Sequence, residues 1–132
     1  MNNTNTAMGW ATLAGIVLVA VGLLGFLNTS LVGSADNALV RTDAVHNIVH
    51  LVTGLTALYI AFGLKGEQQV NGVIGFGILY AIIFVAVLIS PNLFGLFSVP
   101  SNAAVHVIHA ALAAVSLAVG YMARDRNSAM AR

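Results

Sequence analysis

The chain has no cysteine, only two prolines, and charged side chains at just 7% of its 132 positions. Without cysteine there can be no disulfide, thiolate nucleophile, iron–sulfur cluster or cysteine zinc site. Any metal chemistry must therefore rest mainly on imidazole. Five basic and four acidic residues leave a net charge of +1, too weak a field to hold nucleic acid, and no run of lysine or arginine offers a switch on anionic lipid. No G-x-S-x-G, H-E-x-x-H or phosphate-loop motif occurs, so hydrolase and nucleotide chemistry have no support in the sequence.

Hydrophobic residues, in contrast, make up 59% of the chain, against roughly 45–50% in soluble domains. That excess, arranged in long uncharged runs, predicts one integral membrane domain over residues 1–132, an all-α four-transmembrane-helix bundle. Spans are expected at about 7–27, 44–63, 72–90 and 103–123. The residues before the first run, Met1 to Thr6, carry no basic side chain, and the run is long enough to cross the bilayer. It reads as a retained span rather than a signal peptide.

The connections follow from local chemistry. Asn28 to Thr42 is a polar loop with Asp36 and Arg41, and Thr42 or Asp43 can cap the second helix. Leu64 to Val70 is a short link that turns the third helix antiparallel to the second. Pro91 follows the third span, and the segment from Asn92 to Pro100 is apolar but too short to cross, which predicts an interfacial or re-entrant loop. Ser101 or Asn102 caps the fourth helix, Arg124-Asp125-Arg126 ends it, and Asn127 to Arg132 is expected to fray.

Within the spans, Gly15, Gly22 and Gly25 predict close helix packing, and Ala110, Ala114 and Ala118 form a second small-residue seam on the fourth helix. Trp10 suits a membrane interface. Met8, Met122, Phe62, Phe84, Tyr59, Tyr80 and Tyr121 read as packing or belt residues.

All four histidines sit in two octets, each at a helix start: Asp43-Ala44-Val45-His46-Asn47-Ile48-Val49-His50 and Asn102-Ala103-Ala104-Val105-His106-Val107-Ile108-His109. Laying His50 on His109 sets Asp43 on Asn102 and Asn47 on His106. This imperfect internal duplication, in which His46 falls on Val105, relates the two hairpins by an axis along the membrane normal. Lys65, Arg124, Arg126 and Arg132 share one side and Arg41 stands alone on the other. The positive-inside rule then puts both termini in the cytoplasm and the histidines in the outer half of the membrane.

On a helix Asp43, His46, Asn47 and His50 form one stripe, continued by Thr53, Gly54 and Ala57. Asn102, His106 and His109 form another. The second and fourth helices are therefore expected to approach closely, gathering four imidazoles at one depth. An ionisable group inside the membrane is a site hypothesis by default. His46, His50, His106 and His109, with Asp43 as fifth ligand or outer partner, suit copper, zinc, iron or nickel. Alternatively His50 and His109 alone would serve as the two axial ligands of a haem b. A second class of reading makes the histidines mere hydrogen-bonding ties in a non-catalytic accessory or scaffold subunit of a larger membrane complex or homo-oligomer. A third has them contact a proton path, quinone or pigment, and an enzyme in its own right ranks behind these.

The runs His46-Asn47-Ile48-Val49-His50-Leu51-Val52-Thr53-Gly54 and Leu93-Phe94-Gly95-Leu96-Phe97-Ser98-Val99-Pro100, the latter leading through Asn102 to His109, resemble a family. It is a bacterial family of small four-span membrane proteins known as domain of unknown function DUF4383. The resemblance covers the chain from the first span to Ala123. It implies four helices, an internal duplication and a place in the bacterial inner membrane, and it implies no activity. The family's second motif usually carries one histidine, matching His109, so His106 is an addition in this chain. The family's Leu-Phe-Gly-Leu-Phe phrase usually also precedes the first histidine pair, where this chain has Leu31-Val32-Gly33-Ser34.

Overall fold

A computed structural model describes residues 3–131, and the side-chain surroundings of residues 6–125. Four helices carry the fold: α1 (Asn3–Phe26), α2 (Ala44–Gly63), α3 (Gly66–Ile89) and α4 (Ala103–Ala131). Each contains a stretch long and apolar enough to cross a membrane, and most of their large apolar side chains face outward. An apolar exterior of this kind belongs in lipid, so the chain is an integral membrane protein.

The helix ends show why the elements stop where they do. α1 closes through Leu27 and Asn28, whose N–H groups donate to Leu23 O and Gly25 O, and Asn28 takes a left-handed φ of 55°. α2 starts on Asp43, whose carboxylate accepts the His46 N–H at 2.9 Å. Its far end is capped from outside. The Gln69 side chain of α3 donates to the carbonyls of Ile60, Ala61 and Leu64, which satisfies backbone oxygens that lipid could not. For that reason the link expected over Leu64 to Val70 shrinks to Leu64 and Lys65, and Gly66 to Asn71 are already helical. At the other extreme, α4 passes through Arg124 to Arg126 and continues to Ala131. After Gly120 there is neither glycine nor proline to stop it. The fraying expected over Asn127 to Ala131 is absent, and Arg132 lies outside the described residues.

Two tight hairpins result. In α1–α2, a Cβ added at Gly15 would lie 2.7 Å from Leu58 and 2.9 Å from the Gly54 carbonyl oxygen. In α3–α4, one at Gly77 would lie 2.9 Å from Leu117. These glycines let the backbones close, as expected of small residues in lipid. The alanine seam of α4 does not act this way, since Ala114 and Ala118 are exposed and the packed face is Leu112, Ala113, Ser116 and Gly120. Trp10 is not a free interfacial ring either. Its Nε1 donates to Ser116 Oγ at 2.7 Å and ties α1 to α4.

The hairpins join by an apolar core at the end where the termini lie, built from Ala7, Ala11, Ala14 and Leu18 of α1 against Ala57, Ile60, Val73, Ile74, Tyr80 and Leu112. The close approach expected between α2 and α4 does not occur. Among the described residues no Cα of one lies within 8 Å of a Cα of the other. Their small-residue faces are already spent on α1 and α3, so only long side chains can bridge the space between them.

At the opposite end the connections fold over the bundle. The 27–43 loop holds two short parallel strands, β1 (Val32–Gly33) and β2 (Val40–Arg41), with Val32 opposite Val40. These two valines pack with Val105 of α4. The 90–102 loop turns through Leu93, Phe94 and Gly95, all with positive φ, leaves Phe94 and Leu96 exposed, and sends Phe97 inward. It folds over the end of the bundle rather than crossing it. Each loop is held by the other hairpin: Asp43 accepts the N–H and hydroxyl of Ser98, and Asn102 Nδ2 donates to Leu39 O at 3.0 Å. The offset that carries Asp43 to Asn102 also carries Leu39 to Ser98, so the duplication survives as a reciprocal pair of clasps.

Replacing Gly15 by leucine should lower stability in detergent by about 1–3 kcal/mol, as overpacking does. Gly75→Ala, which meets nothing within 4 Å, should stay within about 0.5 kcal/mol of the parent. Reversible denaturation of the two variants side by side checks both values.

Candidate functional site

His46 and His50 stand one helical turn apart on α2, so their rings lie along one face, with centroids 4.4 Å apart and planes tilted by 45°. Asp43 sets this turn. One carboxylate oxygen caps the His46 N–H and the other takes both donors of Ser98. Pinning Ser98 brings its neighbour Phe97 flat onto His46, with centroids at 4.4 Å and planes 6° apart. From α4, His109 reaches across the gap to centroid distances of 5.8 Å from His46 and 6.3 Å from His50. One ring nitrogen from each histidine lies within 4.8 Å of the other two. The three rings are between 0 and 1% exposed.

Beneath them lies Tyr80, fully buried, its ring 5.7 Å from that of His109 and its hydroxyl 2.6 Å from Thr53 Oγ1. Thr53 spends its own proton on Val49 O at 2.8 Å. Tyr80 is therefore the donor in that pair. Aromatic side chains thus close the cluster above and below.

Both nitrogens of His46, both of His50 and Nδ1 of His109 are buried with no hydrogen-bond partner. A neutral imidazole has one donor and one acceptor, and leaving such a group unmet in a protein interior costs about 1–3 kcal/mol. Five unmet nitrogens in three neighbouring rings are an expensive arrangement for a bundle that could have used leucine. Asp43 sits at the edge of this cluster. Burial acts to raise its pKa, but the N–H groups of His46 and Ser98 and the Ser98 hydroxyl outweigh it and hold the carboxyl below its usual 3.8.

Of the five residues read from sequence as metal ligands, the structure gathers His46, His50 and His109. His106 stands outside the group, half-buried on an adjoining face of α4. Asp43 also stands outside, with both oxygens engaged by the cap and the clasp. The haem arrangement on His50 and His109 does not fit. A porphyrin between those rings would need a wide flat slot, and His46 with Phe97 stacked on it occupies that place. Two contributors were missed in the sequence. Phe97 sat in a proline-bracketed apolar stretch that read as interfacial, and Tyr80 read as packing. Neither carries a periodic signal pointing inward.

Comparison with known proteins gives one match: the family model Domain of unknown function (DUF4383) covers residues 9–122. No curated protein and no solved structure matches the chain.

Truncating Asp43 to alanine frees the His46 and Ser98 donors and should cost about 1–3 kcal/mol. Because the folded carboxyl lies below 3.8, its contribution is complete above that pH and disappears as pH falls through the lower folded value. Chemical denaturation followed from neutral pH to about pH 3 should show stability dropping at the acid end. Asp43→Asn should flatten that drop.

Proposed function

The chain belongs to DUF4383, a family whose description names no activity, and from the site itself we propose that the protein binds a transition-metal ion within the membrane through His46, His50 and His109. The observation that carries this reading is that three buried imidazoles, five of whose six nitrogens have no partner, bring one nitrogen each to within 4.8 Å of the other two, from two helices whose backbones stay apart. Imidazole is a ligand for copper, zinc, iron and nickel, and one ion would meet a lone pair on each ring at once. Asp43 supplies the one nearby negative charge, acting through the helix turn it caps rather than as a ligand.

The rival reading makes the histidines hydrogen-bonding ties between helices in an accessory subunit. It has no bond to rest on, since neither nitrogen of His46 or of His50 is paired. Asp43 is committed elsewhere, and no other carboxylate joins the cluster as a general acid or base among the described residues. The protein then holds or passes on an ion rather than turning over a substrate. Lys65, Arg124 and Arg126 lie at the end of the bundle opposite Arg41, so the positive-inside rule puts the histidines beneath the outer surface and the termini in the cytoplasm.

Purified full-length protein reconstituted with metal should retain about one equivalent per chain, read by elemental analysis. Each of His46→Ala, His50→Ala and His109→Ala should weaken binding by more than the roughly 10–100-fold typical of outer-shell changes. His106→Ala should leave it intact. Metal-free wild-type protein, or binding that survives loss of His109, would overturn the reading.

A further inference from the structure

Building on the three-histidine reading, we propose that the ion is monovalent copper and that Phe97 is the residue that sets this choice. The first argument is charge. The ligand group contains three histidines and no carboxylate among the described residues, and both oxygens of Asp43 are taken by His46 N–H and by Ser98. Nothing in the group neutralises the ion, and the rings are almost wholly withdrawn from solvent. The cost of burying an ion rises with the square of its charge, so a divalent ion pays roughly four times what a monovalent one does in the same surroundings. Uncharged ligands deep in an apolar bundle therefore discriminate against zinc, nickel and divalent copper.

The second argument is coordination number. Zinc takes four ligands, the fourth being a protein group or water. The cluster offers three imidazoles, with His106 outside it. One face of His46 is covered by the Phe97 ring lying parallel to it at 4.4 Å, which closes that side of the cluster to a fourth ligand. On the other side Tyr80 faces His109 but gives its hydroxyl to Thr53. Monovalent copper has a filled d shell and is content with three nitrogens in a plane. Softness is not what selects it here: Met8 and Met122 are exposed to the surroundings and lie outside the cluster. Phe97 is in turn held over the site by the Asp43 clasp on Ser98, so selectivity depends on the 90–102 loop staying docked.

The experiment is a pair of anaerobic competition titrations on the full chain in detergent. One sets copper under ascorbate against a chromophoric copper(I) chelator, and the other sets zinc against a zinc chelator. The expected result is one equivalent of copper(I) bound at least about 100-fold more tightly than zinc, with X-ray absorption giving three nitrogen scatterers. Phe97→Ala should narrow the preference by about 10-fold or more by letting a fourth ligand reach the ion, and Phe97→Leu, which keeps an apolar cover, should restore it. Zinc bound as tightly as copper(I) by the wild type would overturn the choice of ion while leaving the three-histidine site standing. Failure to bind either ion would overturn both. An unchanged preference in folded Phe97→Ala, verified by helical circular dichroism, would remove Phe97 from its role.

Discussion

A membrane bundle cannot leave polar atoms unmet at low cost, yet five partnerless nitrogens are gathered here in one buried three-ring cluster. Several other polar groups in the bundle are met locally. Gln69 supplies the donors that the end of α2 lacks, Trp10 finds Ser116, and Tyr80 finds Thr53. The three imidazoles alone converge without partners. Because lipid offers no substitute bonds, the gathering of so many unmet nitrogens in three neighbouring rings is what sets the cluster apart.

The rest of the architecture can be seen as the means of holding that centre. Close glycine contacts bind α1 to α2 and α3 to α4, which uses up the small-residue faces and leaves α2 and α4 too far apart to pack backbone on backbone. The resulting space is the width of facing imidazoles rather than of interlocked alanines. Asp43 then does two jobs with one carboxylate, aiming the first turn of α2 and fastening Phe97 above it.

Much of this was legible in the chain. Long uncharged runs specify the four spans because only helices satisfy their own backbone in lipid, and the caps at Asp43 and Asn102 follow from residue type and position. The histidine pair on α2 and its partner His109 follow from helical spacing and from the repeat. What stayed hidden depends on contacts distant in sequence. Gln69 reads as a polar loop residue until its side chain is seen folded back onto α2. The expectation of four imidazoles at close-packed helices failed because glycine pairing within each hairpin outcompetes the diagonal contact. His106 takes the place of its repeat partner Asn47, which packs against Gly25, and so lies on a face adjoining the cluster rather than in it.

The duplication is broken where the chemistry sits. Val105 occupies the place that the offset assigns to His46, and it is buried with Val32 and Val40 beneath the first loop, whereas His46 lies beneath Phe97 of the second. Two rings thus come from one hairpin and one from the other. Each hairpin has its own close glycine contacts, but neither holds all three rings. The crossed clasps of Asp43 and Asn102 form only once both are in the bilayer and docked. The three-ring cluster is thus a property of the docked pair of hairpins and of neither alone.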